Sequence, residues 1–109
     1  NDMRIRRDSD NMLEEEIVLL AKVSDALAHP VRIKIFQFIM KNNATLTLVC
    51  NKDVVANFDY AQATISQHLK TLIKSGLVEV QKKDKFSYYF VNIGLHNKYV
   101  QVVQKFIRQ

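Results

Sequence analysis

The apolar residues of this chain change their spacing once, abruptly, at Gly76, and that change narrows the folds open to it. Before the glycine, Ile65, Leu69, Leu72 and Ile73 stand at i, i+4, i+7 and i+8, the stripe of a helix packed on one side. After it, Leu77–Gln81 and Phe86–Val91 are runs of β formers separated by Lys82-Lys83-Asp84-Lys85, the pattern of a hairpin. The spacing predicts a helix from about Ala61 to Ser75, stopped by Gly76 and followed at once by two strands.

Little else interrupts the chain. Two glycines and one proline in 109 residues favour long helices and leave no glycine-rich phosphate loop. Residues 1–12 are polar, mixed in charge and aperiodic, and are expected to form a flexible N-terminal segment ahead of a single domain over 13–109. A first helix should run from Leu13 to about Ala28. Leu13, Ile17, Leu20, Ala21 and Ala28 form its core stripe, and Glu14, Glu15 and Glu16 lie in its first turn. Met12, Leu19, Val23 and Ala26 form a second apolar stripe that one core cannot absorb, which implies a partner helix, as from a second copy.

Pro30 fits the first turn of a central buried helix over Val31–Met40, which Asn42-Asn43 should end. Ala44–Val49 reads as a short strand. Asn51 can cap a short helix that turns Val54, Val55 and Phe58 inward, and Asp59-Tyr60 make a tight turn before the helix that ends at Gly76. A last helix carries Leu95, Tyr99, Val102 and Phe106, with Val100, Val103 and Ile107 widening its apolar arc beyond what a small core needs.

Charge separates the two halves. Residues 1–60 hold 8 basic and 9 acidic side chains, whereas residues 61–109 hold 8 basic and only Glu79 and Asp84 as acids. The net charge of +5 therefore resides in the second half, as in chains that meet an anionic partner. The outward side of the 61–75 helix carries Ala63, Thr64, Gln67, Lys70, Thr71 and Lys74, flanked by Gln62, Ser66 and His68, with no acid.

A short helix, a tight turn and a longer helix make a helix-turn-helix, and a hairpin placed directly after it makes the unit winged. The fold expected is mainly α with a small β-hairpin, in the order α-α-β-α-α-β-β-α. Amide and hydroxyl groups on the second helix can read base edges of double-stranded DNA in the major groove. Lys82, Lys83 and Lys85 can lie along the neighbouring backbone or minor groove. The same face read blandly is a solvated helix side, and a lysine-rich hairpin turn also guards a sheet edge. The alternative to a DNA-binding regulator is a winged-helix interaction module that meets an acidic protein. RNA fits less well, since no aromatic residues interleave with the basic ones.

Enzyme chemistry is not expected, because the three histidines are far apart in sequence and no nucleophile, base and acid fall together. A lone cysteine, Cys50, allows neither an intrachain disulfide nor a four-thiolate zinc site and suits a reducing cytoplasm. No apolar run approaches the ~18 residues that cross a bilayer, so no membrane role is expected.

Several stretches resemble the ArsR-type winged-helix repressors. Ala26-Leu-Ala-His-Pro-Val-Arg-Ile-Lys-Ile35 is similar to their ALADPTRLRIL opening, and Gln62-Ala-Thr-Ile-Ser-Gln-His-Leu69 to their Q-x-x-(I/V)-S-x-H-L recognition helix. Lys74-Ser-Gly-Leu-Val78, followed by Lys82, Lys85, Tyr89 and Val91, resembles their SGLV and wing close, and the likeness spans roughly residues 17–95. It implies a homodimer clamped by its first and last helices, with Met12, Leu19, Val23, Val100, Val103 and Ile107 at the interface. Each subunit would place one recognition helix in an inverted repeat of a promoter and so repress transcription.

The resemblance carries DNA contact onto Gln62, Thr64, Ser66, Gln67, His68 and Lys70, and onto Lys82, Lys83 and Lys85 of the wing. Three positions depart from the pattern. Ala61 replaces a frequent Ser cap, Gln67 a common Arg, and the wing has no Gly, although Asp84 tolerates a left-handed turn. Members of the family often release DNA on binding metal. Here Cys50 aligns with the first of a Cys-x-Cys pair, Lys52 stands at the second, and His96 has no acidic companion on the last helix, so no metal or other cofactor is expected.

Overall fold

A computed structural model of the chain describes residues 12–108, so the expected flexible segment 1–12 falls outside it except for Met12, as does the last residue of the 13–109 domain. Five helices and two strands follow one another as α1 (Glu14–Ala26), α2 (Pro30–Ala44), α3 (Asn51–Asn57), α4 (Gln62–Ser75), β1 (Val78–Lys83), β2 (Phe86–Val91) and α5 (Ile93–Ile107). Among the described residues no helix is long and apolar enough to cross a membrane.

The apolar stripe of α4 does what its spacing demands. Ile65, Leu69 and Leu72 are buried against Ile35 and Ile39 of α2, Val54 of α3, and Leu77 and Val78 at the entry to β1. Ser75 closes the helix: its hydroxyl donates to the Leu72 carbonyl (2.7 Å) and accepts from the Leu77 amide (3.1 Å). Gly76 then takes the left-handed conformation at φ 89°, which turns the chain directly into β1.

β1 and β2 pair antiparallel from Val78 opposite Val91 to Lys83 opposite Phe86, leaving Asp84-Lys85 as a two-residue loop. Asp84 is left-handed at φ 59° and supplies the positive φ in a wing without glycine. The expected strand over 44–49 is reduced to one isolated bridge between Cys50 and Tyr88, beside a Tyr89 amide that donates to the Val49 carbonyl (2.8 Å). The reason lies in α2, which does not stop at Asn42-Asn43 but runs on to Ala44 and consumes part of that segment. Asn42 stays helical by donating its side-chain amide to the Phe38 carbonyl (2.8 Å). Asn43 reaches across to β2, accepting from the Val91 amide (2.8 Å) and donating to the Tyr89 carbonyl (3.3 Å).

One cap differs from expectation, and a second helix start uses the same device. The N-cap of α3 is Cys50, not Asn51, and its amide donates to the Asp53 carboxylate (2.9 Å). At the start of α1 the Leu13 amide donates to Glu16 in the same way (2.9 Å).

The faces of α1 are the reverse of those expected. Val23, assigned to a dimer interface, is 1% exposed in the core of its own subunit with Ala26, and Leu19 packs against that core. Leu13 and Ile17, assigned to the core, are exposed together with Val18, and Ala21 and Ala28 are exposed as well. Glu16 explains the rotation. It lies on the buried side of α1 because its carboxylate accepts from Lys105 of α5 (2.9 Å), with Lys98 at 3.9 Å. The Ser24 and Tyr99 hydroxyls, 3.1 Å apart, make a second clasp between the same two helices. On α5, Val102 is buried, whereas Phe106, expected to point inward, is 57% exposed near the end of the helix.

Candidate nucleic-acid interface

Because Ile65, Leu69 and Leu72 fix one side of α4 inside, the opposite side must face outward. Gln62, Thr64, Ser66, Gln67 and Lys70 are all exposed, and His68 is half-buried at the edge. Ala61 caps α4 with no side-chain hydrogen bond, so its first-turn amides gain nothing from the cap residue. Lys82, Lys83 and Lys85 are exposed at the tip of the hairpin, with Asp84 between them.

The helix and the wing are brought together by an open groove of about 670 Å³. Gln62 and Ser66 line it from α4, Lys85 and Phe86 from the hairpin, and Asn51 and Lys52 from α3. Thr64, Gln67, Lys70, Lys82 and Lys83 do not line this groove. Asn51, Lys52 and Phe86 were not legible as site residues in the sequence, where Asn51 read only as a helix cap. Lys52 had meaning there only as the residue filling a metal-ligand position, and Phe86, an exposed aromatic 6.2 Å from the Tyr88 ring, read only as a β former. The missed signal was the loop length: a two-residue turn folds Lys85 and Phe86 back toward α3.

His68 sits in a cluster of basic groups. Its ring centroid is 4.5 Å from that of His29, and its Nδ1 is 3.3 Å from the Arg32 guanidinium. Burial first, then the neighbouring charges of His29 and Arg32, hold its pKa below the ordinary histidine range. The neutral ring is therefore the form present near pH 7.

Cys50 is half-buried, and its thiol donates to the Asp53 carboxylate (3.2 Å). Among the described residues no three His, Cys, Asp or Glu side chains lie close enough together to hold a metal ion.

Residues 29–80, from the α2 cap through α4 into β1, match the family model described as "Bacterial regulatory protein, arsR family". This match supports reading the chain as an ArsR-type winged helix-turn-helix regulator. The match spans the helix-turn-helix, and the winged helix-turn-helix fold recurs in solved structures similar to this chain. An uncharacterized HTH-type transcriptional regulator of Methanocaldococcus jannaschii is 27% identical over 71 residues, which is 65% of this chain and 75% of the relative. The solved structure of an ArsR-like transcriptional regulator from Rhodococcus superposes with a TM-score of 0.71 at 21% identity, covering 82% of this chain and 79% of that one. A homodimeric winged helix-turn-helix DNA-binding domain from Mycobacterium bovis, known from solution NMR, gives a TM-score of 0.65 at 21% identity over 86% and 88% of the two chains.

The family match and the curated relative support an HTH-type, DNA-binding transcriptional regulator. Away from the helix-turn-helix, several apolar side chains of the first and last helices are exposed. Leu13, Ile17 and Val18 of α1 and Ile93, Val100, Phe106 and Ile107 of α5 are exposed, and Ile107 reaches 72%. Of the residues the resemblance assigned to a dimer interface, Val100 and Ile107 are exposed, Met12, Leu19 and Val103 are half-buried, and Val23 is inside.

Proposed function

We propose that this chain works as a homodimeric ArsR-type repressor in the cytoplasm, occupying an inverted repeat in a promoter with one α4 in each of two successive major grooves. The observation that supports this reading best is the convergence of an acid-free α4 face with the lysine-tipped wing across one groove. Gln67 has the donor and acceptor pair that suits adenine, and Thr64 and Ser66 supply hydroxyls on the same helix. Lys70, Lys82, Lys83 and Lys85 neutralise phosphates, while Lys52 reaches the backbone from α3. His68 contributes from the edge of the helix. Assembly supplies the second half-site: the exposed apolar residues of α1 and α5 form a face that water penalises, and the Mycobacterium bovis relative is a homodimer. Repression follows from occupancy, since a protein seated across a promoter excludes polymerase.

Selection of duplexes from a random pool, followed by footprinting, tests the reading. The expected product is an inverted repeat with half-site centres about one helical turn, roughly 34 Å, apart. Affinity for it should fall steeply with salt. A monomer that retains no duplex even at low salt would favour the interaction module with an acidic protein partner.

A further inference from the structure

Arg32 stands outside the duplex contacts assigned above, yet its guanidinium is bonded on two sides. Nε donates to the Ala26 carbonyl (2.6 Å) and Nη2 to the Asp25 carbonyl (3.3 Å), both at the C-terminal end of α1. Nη1 lies 3.3 Å from Nδ1 of His68. A guanidinium has donors only and keeps its proton, so Nδ1 must be the acceptor and the neutral His68 ring carries its hydrogen on Nε2. His29 is fixed in the same sense, because its own Nδ1 accepts from the Val31 amide (3.2 Å) as the cap of α2. The charged and titratable groups facing His68 are thus Arg32 of α2 and His29 at its cap, while α1 offers Arg32 the backbone carbonyl of Asp25. A proton on Nδ1 of His68 would break its bond to Arg32 and set two cations against each other. Among the described residues Nε2 of His68 has no hydrogen-bond partner.

We propose that Arg32 is a positioning residue for DNA reading: by holding Nδ1 of His68 as an acceptor, it makes the free edge of that ring a donor only, matched to an acceptor atom of the duplex. A histidine free to change tautomer would meet donors and acceptors alike. This one discriminates between them, and the corner between α1 and α2 is thereby coupled to the recognition helix. The inference rests on the duplex-binding reading above.

Nitrogen-detected NMR of the histidine rings in the full chain tests the arrangement without DNA. The expected wild-type spectrum shows His68 as the Nε2–H tautomer near neutral pH, titrating below the ordinary histidine value of about 6.5. In Arg32→Met that midpoint should move upward and the tautomer should become mixed. A wild-type ring protonated at Nδ1, or an Arg32→Met ring with unchanged tautomer and midpoint, would overturn the proposal.

A second arm uses a duplex selected by the wild-type protein. Arg32→Met and His68→Ala should each weaken binding about fivefold, the loss of roughly one hydrogen bond. The double variant should lose no more than His68→Ala, and Arg32→Met should leave the salt slope unchanged. Additive losses, or a reduced slope, would make Arg32 an independent phosphate contact and overturn its positioning role. A wild-type chain that selects no duplex overturns the DNA-binding reading instead, and the NMR arm then decides Arg32's hold on His68 by itself.

Discussion

An acidic side chain on the inner face of an apolar helix ordinarily costs stability, yet Glu16 ties two helices together. The Leu13 amide, Lys105 and Lys98 hold its pKa below the usual carboxylate range, with the backbone hydrogen bond the largest cause and the bond to Lys105 next. A depressed carboxylate stabilises the fold fully above its unfolded value and loses that contribution as pH falls through the folded value. The wild-type chain should therefore lose unfolding stability between about pH 5 and pH 3 by more than Glu16→Gln does, as read by denaturant titrations at each pH. Equal slopes for both proteins would remove Glu16 from the account. Asn43 invites a second test at this scale, because its side chain satisfies the Val91 amide. Asn43→Ala leaves that buried-edge donor without its partner and should cost about 1–3 kcal/mol in denaturant unfolding, whereas an exposed helical Asn would cost a few tenths.

Among the elements, α4 and the hairpin were legible in the sequence, and the strand over 44–49 and the orientation of α1 were not. Ile65, Leu69 and Leu72 repeat at a helical period with a polar opposite side, so only one rotation buries them. Gly76 and the β formers after it mark the switch of period. On α1 both stripes are apolar, and the choice between them is made by Glu16 meeting Lys105 from 89 residues away, a contact that no local pattern encodes. Asn42 and Asn43 read as helix breakers because their side chains usually compete with the backbone. Here one bonds its own helix and the other crosses to β2. The candidate site was half legible: the face of α4 and the wing lysines follow from period and composition, while only packing brings Lys52 and Phe86 to the groove and Arg32 to His68. The division of labour on this element is testable. Gln67→Ala should relax discrimination between matched and mismatched duplexes by about 1–3 kcal/mol, while Lys83→Ala weakens all of them alike and lowers the salt slope by about 1. Equal losses from the two substitutions on every duplex would contradict that division.

At the scale of the molecule, two patches stay exposed after the core is closed, one polar and basic on α4 and the wing, the other made of apolar side chains of α1 and α5. The apolar one includes Ile17, Val18, Val100 and Ile107, and burying such side chains is worth about 1.5–3 kcal/mol apiece. Ile107→Glu should leave the fold intact, since Ile107 is 72% exposed, and should shift sedimentation toward the monomer with a loss of duplex affinity. A variant that dimerises like the wild type would place the interface elsewhere.

The most direct test is a map of the backbone amide resonances of the chain as a selected duplex is titrated in. The account predicts that the largest shifts cluster at Gln62–Lys70 and Lys82–Lys85, with smaller ones at Asn51 and Lys52 along the groove. Shifts concentrated on the outer faces of α1 and α5, with α4 silent, would contradict it.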